Sequence, residues 1–216
     1  MRTITTTTNL YKYDELSDDA KAKAKQLYLN DEGFMQVRAE NFTEFVKEDI
    51  GNLFGWDKHE LDVQWSLSHS QGDGVNIYGK ISADVFLDTM DNRFSDIPQL
   101  KEYADMLTDH EKKTIRAYAE VVPSIELPSN HWYCYCVADK ADIAGEFTNE
   151  LEWNDYKNID VESIEKFEKV VVGVFETLCS MYEDCGYDEL YEVDEVDIAD
   201  LADLNDWEFT EDGTIY

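Results

Sequence analysis

The chain has 216 residues, of which 49 are Asp or Glu and 18 are Lys or Arg, giving a formal net charge of -31 at pH 7. Negative charge at that density repels phosphate, which excludes nucleic acid and anionic membrane surfaces as direct ligands. Hydrophobic residues at 43% and aromatics at 13% also exclude a disordered acidic chain, and the length suits one domain that buries about 70% of its unfolded-chain surface.

The opening MRTITTTTNLYKY has no apolar run of signal-peptide length, and no later stretch approaches transmembrane length, so a soluble cytosolic protein is the expectation. Threonine-rich residues 3–11 predict a first strand. Ser17 is placed to cap a helix with Asp18 and Asp19 in its first turn and Ala20, Ala24 and Leu27 as its apolar seam. A second helix is predicted over residues 37–54, where Phe42, Phe45, Ile50 and Phe54 supply apolar bulk. The period then changes: Val63, Trp65, Leu67 and His69 share one face of an extended segment, and Val75, Ile77, Ile81, Ala83, Val85 and Leu87 continue the alternation, which predicts a β-hairpin.

Pro98 suits the first turn of a further helix, and Thr108 with Glu111 forms a capping box for the next. HWYCYCVA has strand-like composition. Ile164, Phe167, Val171, Val174, Leu178 and Met181 recur at helical steps and mark the longest helix, with Gly186 as its stop. A short acidic helical stretch and WEFTEDGTIY, turning at Asp212 and Gly213, close the chain. Strands and helices are segregated more than alternated. The predicted class is therefore α+β: an antiparallel sheet with a hairpin, covered by several helices including one long C-terminal helix, in a single domain over 1–216 whose segment 183–216 is strongly acidic.

The stretch SHSQGDGVNIYG resembles a phosphate-cradling loop, yet no lysine follows its glycines and the chain continues into a strand rather than a helix. Gly72 and Gly74 are instead expected to supply positive φ in a tight turn, with Gln71 and Asp73 bonding the turn's own backbone. Cys134 or Cys136 with His131 or His69 makes an incomplete nucleophile–base set, and Cys134, Cys136, Cys179 and Cys185 lack the spacing of a zinc ribbon. Free thiols are the expectation, and His59 and His110 lie in unrelated contexts. No catalytic residue, cofactor or metal is assigned.

Fifteen acidic residues and no Lys, Arg or His occupy the last 47 positions. Within them Glu183, Asp184, Asp188, Glu189, Glu192, Asp194, Glu195, Asp197, Asp200 and Asp203 form a run that lacks the glycine and closing glutamate of an EF-hand calcium loop. A solvated face is the usual role of such a run. Ile198, Leu201 and Leu204 threaded through it indicate that it folds, which fixes the charges in space.

YKYDELSDDAKAKAK, SHSQGDGVNIYGKI and WEFTEDGTIY together carry a resemblance to a family of small phage and prophage proteins with a D/N-E-L-S helix cap, an S-Q-G-D-G hairpin and an E-F-T-E-D-G ending. Residues 88–160 take no part in it. The resemblance implies a mobile-element origin and a bacterial cytoplasm. Combined with a folded polyanion, it suggests by analogy with anti-CRISPR and anti-restriction proteins a non-catalytic inhibitor. Its expected partner is a basic nucleic-acid-binding host protein or ribonucleoprotein, a nuclease or effector complex, contacted through the ten acidic positions above. The alternative is an accessory or antitoxin-like protein that binds a host protein through aromatic residues of the hairpin and of NHWYCYC.

Overall fold

The computed structural model describes residues 2–3, 7–130, 132–192 and 195–216, the side chains of Glu195 and Val196 excepted. It is an α+β structure: seven helices and a three-stranded antiparallel sheet among the described residues. The chain divides into two compact units, Met1–Phe42 with Gly186–Tyr216, and Thr43–Cys185.

In the first unit, Ser17 caps α1 (Asp18–Asn30) by accepting from the Ala20 N–H at 3.3 Å. The buried side of α1 is Ala20, Ala24 and Tyr28; Leu27 is largely exposed, because the ring one position further along takes the inward place on the same turn. These residues pack with Tyr13, Leu16 and Phe209 and with Ile198 and Ala202 of α7 (Glu195–Leu204). The C-terminus returns through the bridges Tyr11 to Phe209 and Phe209 to Ile215, and turns at Gly213 with φ +84°. Residues 3–11 form no strand among those described; Tyr11 alone makes a bridge, and Ile4, Thr5 and Thr6 lie outside the described residues. α2 (Glu32–Phe54) begins before residue 37, because the Asp31 carboxylate accepts from the N–H groups of Gly33 (2.9 Å) and Phe34 (3.1 Å) and so starts it.

The second unit holds the sheet. β1 (His59–Ser66) and β2 (Gly74–Ser82) pair in the register Val63 to Ile77 and Trp65 to Val75, as the alternation requires. The pattern does not extend to Val85 and Leu87. After Ser82 the chain enters α3 (Ala83–Asn92), whose Ala83, Phe86, Leu87 and Met90 are buried at helical spacing. β3 (Ser124–Leu127), which had no sequence signal, pairs antiparallel with the end of β2, Ile125 opposite Ile81. Pro98 starts no helix; the chain there makes turns such as Leu100 N–H to Ile97 O at 3.0 Å and Tyr103 N–H to Leu100 O at 3.0 Å.

α4 (Asp109–Ala119) carries the capping box: the Glu111 carboxylate accepts from the Thr108 N–H at 2.6 Å, and Thr108 Oγ1 accepts from the Glu111 N–H at 3.3 Å. Lys166 Nζ donates to the same carboxylate at 2.8 Å and, with the cap, holds its pKa down to about 2. α5 (Ile143–Trp153) starts where Asp142 accepts from the Gly145 N–H at 3.1 Å. HWYCYCVA is not a strand; the described part runs irregularly along the hairpin turn.

α6 (Val161–Tyr191) continues through Gly186, since one helical glycine costs only about 1 kcal/mol against alanine. Ile164, Phe167, Val170, Val171, Val174, Phe175 and Leu178 are buried along it. The Phe86 ring lies 5.7 Å from those of Phe94 and Phe167 and 6.3 Å from that of Phe175. Of the residues expected to give the second helix its apolar bulk, Phe42, Ile50 and Phe54 are buried and Phe45 is 48% exposed. Among the described residues no helix is long and apolar enough to cross a membrane.

Candidate functional site

Asp73 organises the hairpin turn. Its carboxylate accepts from the N–H groups of Ser68 and Ser70, each at 2.6 Å, from Ser66 Oγ at 2.8 Å and from Ser70 Oγ at 3.0 Å. Those bonds, the Ser70 N–H first, hold its pKa well below the usual carboxylate range. Gly72 (φ +94°) and Gly74 (φ +145°) supply the left-handed conformations that let the chain fold back over this carboxylate. Gln71 sits in the same turn but, contrary to expectation, its side chain makes no hydrogen bond to the turn's backbone among the described residues, because Asp73 takes the N–H groups of Ser68 and Ser70. The N–H groups of Ser68 and Ser70 and the hydroxyls of Ser66 and Ser70 converge on the turn's own acid, so the loop is built around a carboxylate it already owns, and a bound phosphate would meet charge of its own sign.

The turn is also a support. Cys134 N–H donates to Gly72 O at 3.0 Å, and Gln64 Nε2 donates to Asn130 O at 2.7 Å and to Tyr133 O at 3.1 Å. Buried Asn76 of β2 donates to Pro128 O at 3.1 Å and accepts from Val137 N–H at 3.0 Å, which fastens both ends of the irregular segment to the sheet. Tyr133 covers Gly72 so closely that a Cβ there would stand 2.0 Å from its Cδ1. Glu183 of α6 reaches the same place, its Oε2 being 3.3 Å from where a Gly74 Cβ would lie.

The four cysteines divide. Cys136 Sγ donates to Phe175 O on α6 at 4.0 Å; its interaction with the Cys179 thiol lowers the Cys136 pKa and, together with burial, raises that of Cys179. Cys134 is raised by burial and then by Asp73. Cys185 is exposed. Of the histidines, His131 lies outside the described residues, His69 stands at the exposed turn with φ 58°, and His59 Nδ1 accepts from the Leu61 N–H at 3.1 Å. Among the described residues no three His, Cys, Asp or Glu side chains are grouped to hold a metal. A cavity of about 230 Å³ is lined by Asp49, Asn52, Leu53, Arg93, Asp96, Ile97, Leu178 and Met181, a set without hydroxyl, thiol or imidazole.

The acidic positions fall in both units. Glu183 and Asp184 belong with the sheet-bearing unit. Asp188 and Glu189, in the last turns of α6, and Glu192 after it belong to the other unit, as do Asp197, Asp200 and Asp203 on α7; these and Asp184 are exposed. Asp194 and the Glu195 side chain lie outside the described residues. Ile198 and Ala202 are buried on α7, so Asp197, Asp200 and Asp203, in steps of three, lie along its outer face at roughly 5–6 Å intervals.

Cations are engaged elsewhere: Arg116 with Asp84, Asp88 and Asp91, Lys47 with Asp62, Lys166 with Glu111. Among the described residues no ion pair reaches Asp184, Asp188, Glu189, Glu192, Asp200 or Asp203. Glu183 is half-buried, and burial, then Asp184 and Asp73, raise its pKa above the usual 4.5. Its folded state therefore holds a proton more tightly than the unfolded one, and its contribution to stability declines as pH climbs from about 4.5 through the raised value. Glu183→Gln is expected to remove that decline and leave the protein at pH 7 as stable as the parent or slightly more so, measured by urea melts across pH 4–7.

Comparison with protein-family models, with curated proteins and with solved structures finds no match to this chain.

Proposed function

We propose that the protein is a non-catalytic inhibitor that occupies the basic groove in which a host nuclease or guide-loaded effector complex holds nucleic acid. The observation that carries this reading is the outer face of α7 and the neighbouring run. Carboxylates are exposed on a folded element whose other side is in a core, and no cation pairs with Asp200 or Asp203 among the described residues. A mere solubilising tail has no need of a fixed face, and ordinary acidic surfaces interleave cations that soften repulsion. Duplex DNA presents one charge per roughly 1.7 Å of axis, so one helical face is sparser than a phosphate track; the chain's remaining net charge supplies the wider field that steers a basic partner. The resemblance to phage proteins supplies the setting, a bacterial cytoplasm containing such enzymes.

Pull-down from a bacterial host lysate with identification by mass spectrometry tests the reading. A nuclease or guide-loaded complex is expected, with retention that weakens steeply between low and high salt. Recovery of metabolic enzymes alone, or a complex indifferent to salt, would count against it. The second reading, an accessory or antitoxin-like protein that grips its partner through aromatic residues, is favoured by one observation: Trp132 is 87% exposed. A salt-indifferent complex would select it.

A further inference from the structure

We propose that residues 132–135, seated on the 68–74 turn, form a platform that binds an arginine-bearing segment of a protein partner. The proposal rests on the proposed function only in taking that partner to be a basic protein; it adds the place of contact and the chemical group recognised.

Exposure comes first. Trp132 is 87% exposed, Tyr133 46% and Tyr135 39%, three large exposed rings within four residues of a chain whose net charge is -31. Tryptophan and tyrosine are the residues that anchor protein interfaces, because they offer large contact area with few rotatable bonds. The two tyrosine rings are also held in place before any partner arrives. Tyr133 and Tyr135 stack with centroids 5.7 Å apart and planes 27° from parallel. Their backbone is fastened by Gln64, by Gly72 O and by Asn76. Little ordering remains to oppose binding.

Charge then selects the occupant. Asp73 and Glu183 flank the platform, two carboxylates at the turn that an arriving cation would meet. One ring shows that such a face takes a cation here: Lys140 Nζ stands 5.4 Å from the Tyr135 centroid. An apolar segment would gain nothing from the carboxylates, and nucleic-acid bases that stack on rings would bring phosphates into a field of their own sign. Between the two basic side chains, the planar guanidinium stacks flat on an aromatic face and keeps its N–H groups free for a carboxylate, whereas the ammonium is a strongly hydrated point charge. Arginine is therefore the better fit.

The test uses the full chain with fluorescein-labelled nona-arginine, nona-lysine and an uncharged leucine-serine peptide, at physiological salt. The parent is expected to bind nona-arginine about threefold to tenfold more tightly than nona-lysine, and the uncharged peptide weakest. Trp132→Leu with Tyr135→Leu keeps apolar bulk but removes two ring faces, and should level the two basic peptides. Both positions are exposed, so its melting temperature should match the parent's. A variant with Asp188, Glu189, Glu192, Glu195, Asp197 and Asp200 changed to Asn and Gln should weaken both basic peptides alike and keep the preference for arginine, which separates this platform from the acidic run. Equal binding of the two basic peptides by the parent, a preference that survives the double substitution, or tightest binding of the uncharged peptide would each overturn the proposal.

Discussion

Gly72→Val is expected to destabilise the protein by about 1–3 kcal/mol or more, read as a lower urea midpoint at unchanged slope. Two causes add. A β-branched residue at φ +94° occupies a region that L side chains avoid. Its Cβ would also stand 2.0 Å from Tyr133 Cδ1, so the ring that covers the turn must move away. Gly74→Val meets backbone instead, with Tyr135 Cα at 2.9 Å, and displaces the Glu183 carboxylate. Full stability in both variants would show that the turn does not depend on its glycines. Because Tyr133 rides on Gly72, the first substitution should also reduce the preference for arginine, which links the turn's conformation to the surface it carries.

Phe86→Ala should cost about 3–5 kcal/mol. Its ring is fully buried among Phe54 of α2, Phe94 just after α3, and Phe167 and Phe175 of α6, and no neighbour can close over the space without giving up its own packing. Phe45→Ala offers the contrast. That ring is half out in solvent, with Tyr182 its one nearby ring at 6.3 Å, and its loss should cost less than about 1 kcal/mol. Urea melts of the two variants side by side would check the difference, and equal losses would contradict the placement of either ring.

Several features were legible in the sequence because a side chain completes them within a few residues, although the equally local caps at Asp31 and Asp142 were not read. Ser17 caps α1, Thr108 and Glu111 close their box, and Asp73 gathers its serines, each by bonds that reach no more than seven positions along the chain. The alternation from Val63 to Ile81 likewise set the hairpin register. Beyond Ser82 the same alternation misled, because Ala83, Val85 and Leu87 fit a strand while Ala83, Phe86, Leu87 and Met90 fit a helix equally well. The choice is made by tertiary partners, including the Ala83 N–H bond to Pro123 O at 3.2 Å. The strand that threonine content predicts over residues 3–11 is not found among the described ones, because strand propensity needs a neighbouring edge, and of the described residues there only Tyr11 finds one.

The site was legible in part. That Gly72, Asp73 and Gly74 build a turn followed from their chemistry. That the turn would carry the rings of residues 132–135 and meet Glu183 did not, because those contacts join segments far apart in sequence, and strand-like composition in HWYCYCVA pointed to a different use. Treating Glu183 to Asp203 as one run likewise followed from sequence adjacency, whereas the fold assigns Glu183 and Asp184 to the sheet-bearing unit and Asp188 onward to the other.

The role of the acidic run is tested most directly by measuring association of the captured target with the six-position variant at Asp188, Glu189, Glu192, Glu195, Asp197 and Asp200, each carboxylate replaced by its amide. Shape is retained and charge removed. The fold should be as stable as the parent's or slightly more so, through relief of like-charge repulsion. Association at physiological salt should slow by roughly tenfold or more, with dissociation less affected, because steering depends on the net field more than on any single contact. Inhibition of the target by this variant at the parent's rate and strength would show that the negative charge serves solubility alone.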